Sequence, residues 1–163
     1  MTVEMTYTAI ATARDGASPS VAVEGADLDL ALSTPPELGG RGGAGANAEQ
    51  LLAAGYASCL LSALRLAALQ RQLDVSGAEV RCVLDLVGRG AAFEASARLE
   101  ADIPSLPEAT ARELLEAACA AWPYAADRGV KIPNVELAGA GEARGATPDV
   151  AARQEATDGG GYA

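Results

Sequence analysis

The chain predicts an α+β fold, an antiparallel sheet with its helices gathered on one side, and three observations carry the prediction. Apolar and polar residues alternate with period two early and again late in the chain, which marks strands. One long apolar run, Leu51 to Leu69, has the length of a helix and not of a strand. A second helical stripe lies between Pro107 and Pro123. The resulting order is three strands, a long helix, two strands, a helix and a strand, with no internal repeat.

The elements follow in turn. Val3, Met5, Tyr7, Ala9 and Ala11 alternate with polar neighbours, and Asp15-Gly16 predicts a turn. Val21 and Val23 form a short second strand, and Leu28, Leu30 and Leu32 a third. Ser33 to Ala46 is too rich in Pro and Gly for regular structure. Asn47 then serves as N-cap, with Gln50 three residues on as its capping-box partner and Glu49 in the first turn. Helical periodicity runs to about Leu73. Apolar residues cover nearly the whole circumference of this helix, so it should be buried on most sides, and a second subunit is one way to bury it.

Two clean strands come next. Val80, Cys82, Leu84 and Leu86 share one face of the first; Phe93, Ala95, Ala97, Leu99 and Ala101 share one face of the second. Gly88-Arg89-Gly90 is the predicted hairpin between them. Pro107 suits a first helical turn, and Ala111, Leu115, Ala118 and Trp122 form the stripe that follows. Pro123 should end that helix at Trp122. A last strand covers about 130–137. The Gly, Ala, Asp and Glu composition from Gly139 onward reads as a disordered tail, which leaves residues 1–138 as one domain.

Composition narrows function. Twenty-two acidic and twelve basic residues give a net charge of −10, which repels nucleic acid. The long apolar run carries Arg65, two serines and Gly55, so it reads as a core helix and not a membrane span. There is no histidine, hence no His triad, His–metal site or His general base; neither a metal nor a cofactor is expected. Three cysteines, an odd number, suit a reducing compartment, the cytoplasm, better than a disulfide scaffold.

Those cysteines carry the chemistry. Cys82, on the inward face of a strand, reads as a small core hydrophobe. Cys119 lies beside the Leu115 stripe, one turn before Trp122, and reads as packing or as a redox partner. Cys59 alone would also be core, but its neighbours argue otherwise. Five glycines between Gly39 and Gly45 let backbone come close to a ligand or another chain. Glu49 is an acid at the head of an apolar segment. Arg14 precedes the Asp-Gly turn, and positive charge is what lowers a cysteine pKa.

The run LSTPPELGGRGGAGANAEQLLAAGYASC resembles the signature of the OsmC/Ohr family, in particular its organic hydroperoxide resistance branch. Trp122-Pro-Tyr-Ala-Ala-Asp-Arg-Gly129 resembles the family's second motif, CPYSxATRGN, and the matching strand order extends the similarity over residues 3–138. The resemblance implies an OsmC-like fold, an intertwined homodimer, and a thiol peroxidase that reduces organic, fatty-acid-type hydroperoxides to alcohols. The external dithiol reductant would be a lipoylated protein. By motif, Cys59 resembles the peroxidatic cysteine, Arg14 the arginine that stabilises its thiolate, and Glu49 the carboxylate that holds the arginine.

Spacing adds a constraint. Glu49 and Cys59 are ten residues apart, about 15 Å along a continuous helix and on different faces. Either the helix breaks near Gly55, or the arginine and carboxylate come from the partner subunit.

One departure matters. Where the second motif has a resolving cysteine, this chain has Trp122. Three readings are open: Cys59 works as a one-cysteine peroxidase whose sulfenic acid an external thiol reduces directly; Cys119 is a displaced resolving thiol; or peroxide chemistry is lost and the scaffold binds or senses an apolar ligand at a dimer interface. The first is the principal reading. Trp122, Tyr124 and Tyr56 are candidates to line the substrate pocket.

Overall fold

The computed structural model describes residues 6–89, 92–122 and 134–138. The chain divides into two compact units, residues 1–55 and 56–163, each with its own three-stranded sheet.

In the first unit, β1 (Ala11–Arg14), β2 (Ser20–Val23) and β3 (Asp29–Ala31) form an antiparallel meander. Val3 and Met5 of the predicted first strand lie outside the described residues, and among the described ones β1 begins at Ala11. Residues 6–10 are exposed and not assigned to a strand, although the Ile10 carbonyl accepts from Glu24 N–H at 2.9 Å, so the period-two pattern alone did not make a strand there. Asp15-Gly16 turns the chain as expected, and the Gly16 amide donates to Asp15 Oδ1 at 2.8 Å. The segment after β3 closes on itself: Ser33 N–H donates to the Ala46 carbonyl and Ala46 N–H to the Ala31 carbonyl, both at 2.9 Å. Inside that closed loop Pro36–Leu38 forms a 3-10 turn, ended by Gly39 in the left-handed region. A Cβ on Gly40 would run into the Thr34 carbonyl, so this glycine serves a close approach within the chain's own loop.

Helix α1 (Ala48–Arg71) starts where the capping box predicts. Asn47 N–H donates to Gln50 Oε1 at 3.0 Å, and Gln50 N–H donates back to Asn47 Oδ1 at 2.7 Å. The helix runs unbroken through Gly55, so the break considered there does not form. It ends two residues before the predicted Leu73, and the backbone gives the reason. Gln72 takes a left-handed φ of 54°, with Gln72 N–H bonded to the Leu69 carbonyl and Leu73 N–H to that of Ala68. That pair of bonds is a Schellman stop.

The second unit holds the core. β4 (Glu79–Arg89) and β5 (Ala92–Asp102) pair antiparallel along their full length. The ladder includes Gly88 and Arg89, so the predicted turn at 88–90 begins too early. Phe93 lies against its cross-strand partner Gly88, whose missing side chain leaves room for the ring. Helix α2 (Glu108–Ala121) follows Pro107 and stops at Trp122, whose extended backbone is what the next proline requires. β6 (Asn134–Leu137) then joins β5 in parallel, a crossover through α2 that makes this sheet mixed and not wholly antiparallel.

Ala97, Leu99 and Ala101 of β5 are buried on one sheet face, with Val80, Cys82 and Leu84 of β4 beside them in register. Against that face pack Leu60 and Leu64 of α1 and Leu114, Leu115 and Ala118 of α2. By length and composition α1 could also cross a bilayer. Its buried stripe of Tyr56, Leu60, Leu64, Ala67 and Ala68 makes it a core helix instead. The stripe covers one side only. Leu52, Leu66 and Leu69 are 40, 54 and 75 % exposed, so burial on most sides is not reached within one chain.

Candidate functional site

Glu49 and Arg14 belong to the first unit. Glu49 sits in the first turn of α1, where the positive end of the helix dipole favours a carboxylate. It lines a cleft of about 300 Å³ whose other walls are mainly apolar, among them Val21, Leu32, Pro35, Leu38 and Leu51. Ala13 also lines this cleft; Arg14, the next residue along β1, does not. Alternation along the strand turns its side chain to the other face. Arg14 ends β1 opposite Ser20, at the Asp15-Gly16 turn.

The cleft is a feature that sequence reading missed. Its walls come from β1, β2, the Pro/Gly-rich loop and the start of α1, which only the folded loop brings together. The available signal was the loop's composition, which marked it as irregular without showing that it closes.

Cys59, Tyr56, Cys119 and Trp122 belong to the second unit. On α1, Cys59 follows Tyr56 by three residues, so the two are neighbours on the helix surface. Leu60 is wholly buried and Tyr56 nearly so, whereas Cys59 is half-buried at the margin of the same stripe. At the end of α2, Trp122 is 2 % exposed, and its ring meets Tyr56 edge to face with centroids 6.3 Å apart and planes at 82°. Tyr124 lies outside the described residues.

Cys82 and Cys119 are half-buried against the core, and burial pushes both thiols above the ordinary cysteine pKa. Desolvation penalises the thiolate, which makes each a poor nucleophile at neutral pH. All three cysteines are free. Among the described residues there is no cluster of acidic and cysteine side chains able to hold a metal ion.

The structure therefore gathers Tyr56, Cys59, Trp122 and Cys119 on one core, and places Glu49 on the wall of a cleft in the first unit. Chemically, the first group offers a partly exposed thiol in apolar surroundings, suited to an apolar reactant. The cleft offers one acid among apolar walls, a setting that could hold a cation.

Comparison with known proteins agrees with this reading of the fold. The family model described as OsmC-like protein matches residues 40–136. An organic hydroperoxide resistance protein of Xanthomonas axonopodis pv. citri is 40% identical over 121 residues, covering 72% of this chain and 84% of that protein. Among solved structures, an organic hydroperoxide resistance protein from Legionella pneumophila superposes with a TM-score of 0.71 at 33% identity, covering 83% of this chain and 100% of that one. One from Elizabethkingia anophelis, with thiocyanate bound, gives 0.72 at 28% identity, covering 84% and 100%.

Proposed function

The chain belongs to the OsmC-like protein family, and from that premise we propose that it reduces organic hydroperoxides to alcohols at Cys59. The observation that carries the proposal is the placement of Cys59, a half-buried thiol on α1 one turn from a buried aromatic pair. Its relatives' names point to hydroperoxide resistance, and its own surroundings are apolar, as a fatty-acid-type hydroperoxide requires.

The reaction balances with a thiol alone. The Cys59 thiolate attacks the distal peroxide oxygen, the S–O bond forms as the O–O bond breaks, and the alkoxide leaves to take a proton as alcohol. Cys59 is left as a sulfenic acid. An external dithiol, such as that of a lipoylated protein, then returns it to the thiol: the first sulfur displaces the hydroxyl as water, and the second releases Cys59. This is a one-cysteine cycle. The raised pKa of Cys119 supports it, because a thiol held protonated makes a slow resolving group.

Arg14 is assigned the stabilisation of the thiolate and the developing alkoxide, and Glu49 the balancing charge; within one chain the two are not paired, since Arg14 faces away from the cleft that Glu49 lines. Ten residues of unbroken helix separate Glu49 from Cys59. Both polar groups are therefore assigned to a second copy of the chain, in an intertwined homodimer acting in the cytoplasm. Two observations support the dimer: no described residue of the first unit is buried, and the outer leucines of α1 are open.

The competing reading is an inactive scaffold that binds or senses an apolar ligand, and it takes its support from Trp122 in place of a thiol. Stopped-flow mixing with cumene hydroperoxide separates the two. Fast oxidation that disappears in Cys59→Ala is expected; a native rate no faster than that of free cysteine would sink the enzyme reading.

A further inference from the structure

Among the described aspartates, Asp15 is the one that precedes a glycine. Asp27, Asp29, Asp74, Asp85 and Asp102 each precede a leucine, valine or isoleucine, whose bulk shields the amide that follows the carboxyl group. At Asp15 that shield is absent. Gly16 has no side chain, a Cβ built on it would meet nothing within 4 Å, and its φ of 149° is one that glycine adopts more readily than other residues. Both residues are exposed, and the β1–β2 ladder has already ended at the Arg14–Ser20 pair. The Gly16 N–H donates to Asp15 Oδ1 at 2.8 Å. That contact sets the amide nitrogen beside Cγ, the carbon to which Oδ1 is bonded. Among the described residues no ion pair or further hydrogen bond holds the Asp15 carboxylate elsewhere.

We propose that Asp15-Gly16 is a self-modifying site: the Gly16 amide closes on the Asp15 side chain to give a succinimide, and water reopens the ring to iso-aspartate. In the first step the amide nitrogen loses its proton and forms a bond to Cγ. A C–O bond of the protonated carboxyl breaks, and its hydroxyl leaves with that proton as water. In the second step water adds to the Asp15 backbone carbonyl carbon, and the bond from that carbon to the Gly16 nitrogen breaks. Nothing is oxidised or reduced, and no partner beyond water is needed. The chain then runs through the former side chain, with one more backbone carbon between Arg14 and Gly16 and a carboxylate branching from it. The register of a hairpin is set by the length of its connection, so the pair nearest the added atom, Arg14–Ser20, is the first to be disturbed. β1 has four residues, all of them exposed, and little packing resists that change. The modification therefore loosens the end of β1 that carries Arg14, independently of any role that arginine has in catalysis.

The test ages the native protein in warm neutral buffer and follows it by peptide mapping with electron-transfer fragmentation. That readout assigns iso-aspartate position by position and separates Asp15 from Asp158, which also precedes a glycine. Iso-aspartate should accumulate at Asp15, preceded by a species lighter by one water, while Asp74 and Asp85 stay at background. Asp15→Glu, whose longer side chain would have to close a six-membered ring, should lose the modification. Asp15→Asn should form the same ring with loss of ammonia, faster than the native protein, and gain the mass that separates an acid from an amide. In the iso-aspartate fraction, hydrogen exchange along Ala11–Arg14 should be faster than in fresh protein. An Asp15 left unmodified, or modified no faster than Asp74 and Asp85, would overturn the proposal, as would modification that persists in Asp15→Glu. Unchanged exchange along β1 in the modified protein would overturn the loosening of Arg14.

Discussion

Glu100 ties β4 to β5 on the open face of the second sheet, accepting from Arg81 Nη1 and from Arg98 Nε at 3.0 Å each. The Arg81 hydrogen bond is the main reason its carboxyl titrates below the ordinary 4.5, with Arg98 adding to it and partial burial opposing. Because the folded value is depressed, the pair contributes stability that is fully present above pH 4.5 and is lost as the pH falls through the lower folded value. Glu100→Gln should therefore cost less than about 1 kcal/mol at pH 7, the scale of solvent-screened pairs. That deficit should vanish in strong acid, which thermal melts at the two pH extremes would show. At Cys59, by contrast, residue-level reading went as far as a nomination: the motif around it singled out one thiol of three to weigh. Its half-buried setting was not legible, because burial depends on which side of α1 meets the sheet. The same holds for Trp122. Its identity showed that a thiol is missing, but only packing pairs it with Tyr56.

Among the elements, those with strong local signals fell where the sequence puts them. The Asn47/Gln50 box starts α1, and Pro107 and Pro123 bracket α2, since each is a short-range interaction that needs no tertiary partner. Boundaries decided by backbone conformation were less legible. Gln72 ends α1 in a left-handed conformation that glycine adopts more readily, and nothing in its side chain announces that role. Gln72→Gly should raise stability by about 1 kcal/mol, the cost of that conformation for a residue with a Cβ, seen as a higher melting temperature. An unchanged or lower value would mean that the flexibility glycine adds to the unfolded chain outweighs the relief. The parallel pairing of β6 was likewise not legible, because alternation identifies a strand but not the direction of its neighbour.

At the scale of the whole molecule, the first unit is a three-stranded meander without a buried residue among those described, and small sheets of that kind are rarely stable alone. The second unit has a core, yet leaves Leu66, Leu69 and Phe93 open. The proposed dimer answers both, and Leu69→Glu should shift it toward monomer in sedimentation velocity. A native chain that sediments as a monomer at micromolar concentration would remove the dimer, and with it the assignment of Arg14 and Glu49 to a partner. By itself the sequence determined the fold class and the family, and it nominated the thiol for which reactivity is proposed, because periodicity, capping and a long motif are properties of neighbouring residues. Tertiary structure alone decided that the Pro/Gly loop closes over a cleft at Glu49, that α1 stays unbroken, and that Trp122 is sealed against Tyr56. The cleft and the ring contact depend on residues apart in the chain, and no local pattern encodes which of them will meet.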